Sequence, residues 1–127
     1  MMVLDTDVFI DHFRGQEAAT AYIHSLPVEQ RATTEITVME LYKGVANQQE
    51  LATILQFLTQ NRVTRLSVST TASQRAVELG HQNGLAHGLG IPDALIAAIA
   101  MEGVHTLVTD NVRHFRFIPG LQVLRAP

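Results

Sequence analysis

The stretch Met1-Met2-Val3-Leu4-Asp5-Thr6-Asp7-Val8-Phe9-Ile10-Asp11-His12-Phe13-Arg14-Gly15 sets the reading of everything after it. Its apolar start, Met1 to Leu4, is too short for a helix and stops at Asp5, as a short buried strand does. From Thr6 to Arg14 the apolar residues Val8, Phe9 and Phe13 are separated by polar ones, which predicts a helix that Gly15 closes. A strand passing directly into a helix is the first half of a β-α-β unit.

The same succession recurs downstream. Ala18, Ala19, Tyr22, Ile23 and Leu26 fall at helical spacing until Pro27 breaks the pattern. Thr-rich Arg31 to Ile36 reads as a strand, and Thr37 as the cap of a helix through Val45 that puts Glu40 in its first turn. Gln48 to Asn61 carries Leu51, Ile54, Leu55 and Leu58 on one face, and Val63 to Val68 reads as the next strand. Ser69 or Thr70 caps a helix expected to stop at Gly84, followed by a loop from Leu85 to Ile91. Pro92 then suits the first position of a helix with Asp93 in its first turn, and Ala94 to Met101 is apolar all round, as a central helix is. His105 to Thr109 and Leu121 to Leu124 read as strands, with a loop or helical turn over Asp110 to Phe115. The alternation predicts one α/β domain over residues 1–127, a mostly parallel central sheet with helices on both faces. Sites in such sheets form at the carboxyl ends of the strands.

Composition narrows the function. The 127 residues are 46% hydrophobic and 17% charged, which suits a globular domain able to bury its own core. No run approaches the roughly 18 apolar residues of a membrane span, and the N-terminus lacks the basic start and apolar core of a signal peptide, so the expectation is a cytoplasmic protein. Having no cysteine, the chain has neither thiol catalysis nor thiolate metal sites. The net charge of −3 and the single lysine, Lys43, argue against a broad basic face for nucleic acid. Arg113, His114, Arg116 and Arg125 nevertheless cluster near the C-terminus, leaving room for a local phosphate-reading patch.

Asp5, Glu40, Asp93 and Asp110 each fall just after a strand or at a helix start, on the edge where a site belongs. Carboxylates gathered there repel one another unless cations sit between them. Magnesium and manganese take oxygen ligands, one or two protein carboxylates each with water and phosphate completing the shell, and paired ions can activate water and stabilise a leaving oxygen. Each acid also has a plainer reading. Asp5 serves equally as a turn residue or cap, Asp7 is assigned to capping the first helix rather than to a metal, and the helix dipole alone favours Glu40 and Asp93 in first turns.

Four ordered segments weigh between these readings: Val3-Leu4-Asp5-Thr6-Asp7; Glu40-Leu41-Tyr42-Lys43-Gly44; Pro92-Asp93-Ala94-Leu95-Ile96-Ala97-Ala98; and Thr109-Asp110-Asn111, followed by His114-Phe115 and Ile118-Pro119-Gly120-Leu121. From Val3 to Val123 the chain resembles the PIN-domain family, in particular the VapC toxins of VapBC toxin–antitoxin pairs. The resemblance implies a magnesium- or manganese-dependent endoribonuclease in which Asp5, Glu40 and Asp93 are catalytic and hold metal. Family members usually read Thr, any residue, then Asp or Asn at the fourth segment, which matches Asn111 and leaves the corner shared between Asp110 and Asn111, with one or two metals. Thr6 and Asp7 are expected to support the ligands, and Arg113 and Arg116 to meet the RNA backbone. His114 is assigned to packing or hydrogen bonding, and the histidines show no zinc-ligand spacing. The resemblance also implies a VapB-type antitoxin as partner, a homodimer, and DNA contact only through the antitoxin. Phe9, Phe13, Tyr22 and Ile23 are candidates for the antitoxin groove or, equally, for the core.

Two other classes share features of this text. Haloacid-dehalogenase-type phosphatases also begin with a strand and Asp-x-Asp, making Asp5 a nucleophile and Asp7 an acid–base partner. They, like response-regulator receivers, need a lysine late in the chain, and Lys43 comes too early. A decayed PIN-like module that binds without catalysis would lack part of the acidic set, of which Asp5, Glu40 and Asp93 are intact.

Overall fold

The computed structural model describes residues 1–127. Five strands form one sheet: β1 (Met2–Leu4), β2 (Arg31–Thr34), β3 (Thr64–Leu66), β4 (Thr106–Thr109) and β5 (Gln122–Arg125). Every pairing is parallel, in the order β3-β2-β1-β4-β5. The helices are α1 (Thr6–Phe13), α2 (Glu17–Ser25), α3 (Glu35–Lys43), α4 (Gln48–Gln60), α5 (Thr70–His87) and α6 (Ile91–Glu102). None is long and apolar enough to cross a membrane.

The period-2 alternation of the strands divides the core. Val3 and Leu107 point to the face covered by α5 and α6, whereas their neighbours Leu4 and Val108 point to the face holding α1, α2, α3 and α4. All four side chains are fully buried. Helix α6 suits its central place because Ile96, Ala97, Ala98, Ile99 and Ala100 are buried around its circumference. Its alanines allow close approach to the sheet and to α5.

Three local expectations are corrected by capping. Thr34, not Thr37, caps α3: its side chain accepts from the Thr37 backbone N–H, so the helix starts at Glu35 and Glu40 lies beyond the first turn. Helix α5 runs through Gly84 to His87, because Gly84 keeps helical geometry. Gly88, at φ +68°, is the left-handed residue that ends the helix, its N–H donating to the Gly84 carbonyl. The predicted loop over 85–91 thereby shrinks to the link between α5 and α6. Pro92 is second rather than first in α6, after Ile91, and still needs no donor there.

Candidate active site

Chain order reverses between β1 and β4: β1 leads outward to β2 and β3, and β4 leads outward to β5 on the other side. Such a switch point opens a crevice at the carboxyl ends of the two strands. Asp5 follows β1 there and Thr109 ends β4, the two held together by the Asp5 N–H donating to the Val108 carbonyl at 3.0 Å.

Asp5 caps α1. One carboxylate oxygen accepts from the Thr6 backbone N–H at 2.8 Å and the other from the Thr109 hydroxyl at 2.7 Å. Asp7, expected to cap this helix, has another task, because Asp5 already occupies the cap position. Its Oδ2 accepts from the Asp110 backbone N–H at 2.9 Å and from the Asn111 side-chain amide at 3.2 Å, and it lies 3.2 Å from the Thr109 hydroxyl. Asp7 thus ties α1 to the turn after β4. Its other oxygen, Oδ1, is buried with no partner.

Glu40 reaches the crevice because helical side chains lean toward the helix N-terminus. Its Oε1 accepts from the Thr6 hydroxyl at 2.6 Å, and that hydroxyl lies 3.2 Å from the buried Thr37. Asp93 enters from the first turn of α6, with the exposed His114 ring 3.5 Å from its Oδ2. His114 therefore does pair, as a polar neighbour of the acidic set.

The electrostatics are those of crowded acids. Burial, then the neighbouring Asp7, pushes Asp5 up to about 7 from the usual carboxylate value of 3.8, with Asp93 adding to the shift. Burial also raises Asp7. Asp93 is raised by burial, pulled back by His114, and pushed up again by Glu40 and Asp7. Asp110 is raised by burial, then by the adjacent Asp11 carboxyl and by Asp7, with Arg125 pulling it back. The backbone N–H of Asp110 holds Asp7 and its carbonyl accepts from Arg125, while its side chain lies beside Asp11. At the fourth corner Asn111 donates its amide N–H to Asp7, so its carbonyl oxygen stays available as an uncharged acceptor.

No three Asp, Glu or His side chains stand in a ready metal-ligating set. The donors nonetheless fit a hard divalent cation that keeps much of its water, because they are all oxygen and drawn from Asp5, Asp7, Glu40, Asp93 and Asn111. The orphaned Asp7 oxygen and the raised Asp5 are what such a group shows when no positive charge lies among its members.

Arg113 and Arg116, on the 3-10 turn Val112–His114 and just after it, are exposed and join no ion pair. A groove of about 470 Å³ runs from Glu40 between α1, α3 and α4, lined by Ile10, Phe13, Leu41, Val45 and Ile54 with Arg14 and Glu50 on its walls. Of the four residues that were candidates either for such a groove or for the core, only Phe13 lines this one. Phe9 and Ile23 are wholly buried and Tyr22 packs against the same core, because α1 and α2 pack their apolar faces inward. Thr109 and Thr37 carry no charge, and neither is among the site residues expected from the sequence, where Thr37 reads as a helix cap and Thr109 as the start of the fourth segment. The Thr109-x-Asn111 spacing, which lets the hydroxyl accept from the Asn111 N–H at 3.0 Å, is the signal that marks the first of them.

A PIN-domain family profile matches residues 2–119. The chain is 34% identical over 125 residues to Ribonuclease VapC19 of Mycobacterium tuberculosis, spanning 96% of this chain and 98% of that protein. Among solved structures, a toxin–antitoxin complex from Klebsiella pneumoniae superposes with TM-score 0.80 at 28% identity, covering 98% of this chain and 96% of that one. DNA-bound VapBC from Salmonella typhimurium superposes with TM-score 0.83 at 26% identity, covering 99% and 98%.

Proposed function

The chain belongs to the PIN-domain family, and from that premise we propose that it is a VapC-type toxin, an endoribonuclease dependent on magnesium or manganese. One observation carries the reading. Asp5 and Asp7 from the start of α1, Glu40 from α3 and Asp93 from α6 gather at the switch point of the sheet, where Asp5, Asp7 and Asp93 are driven toward protonation. Stability alone does not favour such crowding; a cation between them reverses its sign.

In this reading Asp5, Glu40 and Asp93 hold the ion, and Asn111 is favoured over Asp110 at the fourth corner because the Asp110 side chain is turned toward Asp11. When bound, magnesium supplies an activated water and neutralises charge on the phosphate. Thr6 orients Glu40 through its hydroxyl, and Thr109 orients Asp5. Asp7 fixes the turn that carries Asn111. Arg113 and Arg116 meet backbone phosphates of the RNA, fixing its register without reading its bases.

The relatives that are toxin–antitoxin complexes support a VapB-type antitoxin as partner, contact with DNA only through it, and action in the cytoplasm. The groove beside Glu40 suits a folding antitoxin segment: apolar along its floor, with Arg14 and Glu50 for polar anchoring. Exposed Val77, Leu85 and Ile91 on α5 and α6 are the candidates for a homodimer contact. A haloacid-dehalogenase-type phosphatase or a decayed binding module draws no support from these relatives.

The test is cleavage of RNA by the purified protein with magnesium. Wild type cuts, Asp5→Ala and Asp93→Ala do not, and chelation with EDTA stops the reaction. Cleavage that survives either substitution rejects the assignment.

A further inference from the structure

One aromatic contact lies outside the acidic centre and beyond the needs of the core. His87, at the last position of α5, stacks on Phe117 with ring centroids 4.1 Å apart and planes within 9°. Phe117 is partly buried and packed on the core that α6 shares, so it forms a fixed base. His87 remains exposed although Phe117 covers one face of its ring. Phe117 lies three residues beyond His114, whose ring is 3.5 Å from Asp93, and three residues of chain span at most about 11 Å. Arg113 and Arg116, neither in an ion pair, flank the same segment.

Resting on the ribonuclease reading above, we propose that the His87–Phe117 stack is a platform on which an unpaired nucleobase of the RNA lies, a few nucleotides from the phosphate that is cut. Flat rings take up any base by its π-face, and adjacent cations hold the backbone in register. A rigid pair offers this surface at less entropic cost than a lone exposed ring, because Phe117 already fixes the plane. The stack favours cleavage in single-stranded segments, since a paired base cannot reach it.

The experiment uses the full chain carrying Asp93→Asn, to prevent turnover, and a fluorescent single-stranded RNA 12-mer with a series of copies each lacking one base. Binding is read by anisotropy. His87→Ala is expected to weaken binding of the intact RNA by between about 5- and 100-fold, whereas His87→Trp restores it. One abasic copy is expected to bind the Asp93→Asn chain equally well with and without His87→Ala, because the partner of the ring is gone. The platform is overturned if His87→Ala binds intact RNA as tightly as the unsubstituted ring, if its loss is the same for every abasic copy, or if His87→Ala instead changes the oligomeric state. Metal-dependent cleavage by wild type separates the two readings: normal cleavage with His87 immaterial removes the platform alone, while neither cleavage nor binding removes both.

Discussion

Asp5 is worse off as an anion in the folded protein than in the unfolded one. Its folded value of about 7 stands above the unfolded 3.8, so the native state binds more protons between those values. The contribution to stability is therefore fully present below about pH 4 and lost as pH rises through about 7, on the order of 4 kcal/mol across the window. Asp7 and Asp93 shift in the same direction. Metal-free protein should thus melt at a lower temperature at pH 8 than at pH 5.5. Asp5→Asn, which keeps an acceptor for Thr6 and meets Thr109 with its amide, should flatten that slope and raise the pH 8 melting temperature. Equal pH slopes in a calorimeter for both proteins would remove the argument. Thr6 gives a second check at this scale. Thr6→Val removes the 2.6 Å bond to Glu40 and should slow RNA cleavage about 10- to 100-fold, while Thr6→Ser stays close to wild type in initial rates.

Elements contribute by where they begin and end. The two glycines near the close of α5 look alike in sequence, yet Gly84 is helical with open space where a Cβ would stand and Gly88 sits at φ +68°. Gly84→Ala should stabilise the protein by about 0.5–1 kcal/mol, and Gly88→Ala should cost about 1–2 kcal/mol, both read from urea denaturation midpoints. Reversal of the two signs would place the helix end at Gly84 after all. The same logic explains Glu40. A cap at Thr34 places Glu40 beyond the first turn, so its position at the site owes more to the tilt of helical side chains and the Thr6 hydroxyl than to the helix dipole.

For the whole molecule, the arrangement that matters is the switch between β1 and β4, which gathers acids from α1, α3 and α6 beside a groove that starts at Glu40. Magnesium binding only the folded state should raise the melting temperature at pH 8, and the Asp5→Asn, Asp93→Asn pair should remove that rise; at 100 times its dissociation constant the ion adds about 2.7 kcal/mol. The groove predicts how the partner would be held. Phe13, 37% exposed on its wall, can be shortened without opening the core, so Phe13→Ala should leave RNA cleavage intact while weakening the antitoxin by roughly 2 kcal/mol in titration calorimetry.

The order of strands and helices, the sheet at the carboxyl edge of which the acids lie, and the candidacy of Asp5, Glu40 and Asp93 were determined by the sequence itself. Periodicity and the residue type after each strand are local properties, written in neighbouring residues. The hydrogen bonds of Asp7, the separate surroundings of the Asp110 and Asn111 side chains, the bond from Thr109 to Asp5 and the core burial of Phe9 and Ile23 were decided only by tertiary structure. Each depends on which side chain from a remote segment arrives within hydrogen-bonding or packing distance. Asp7 meets the turn at Asp110 and Asn111 across the switch point, a contact fixed by sheet order. Asp5 is the most buried of these acids, and burial together with Asp7 pushes its carboxyl up, an outcome that no local stretch of sequence contains.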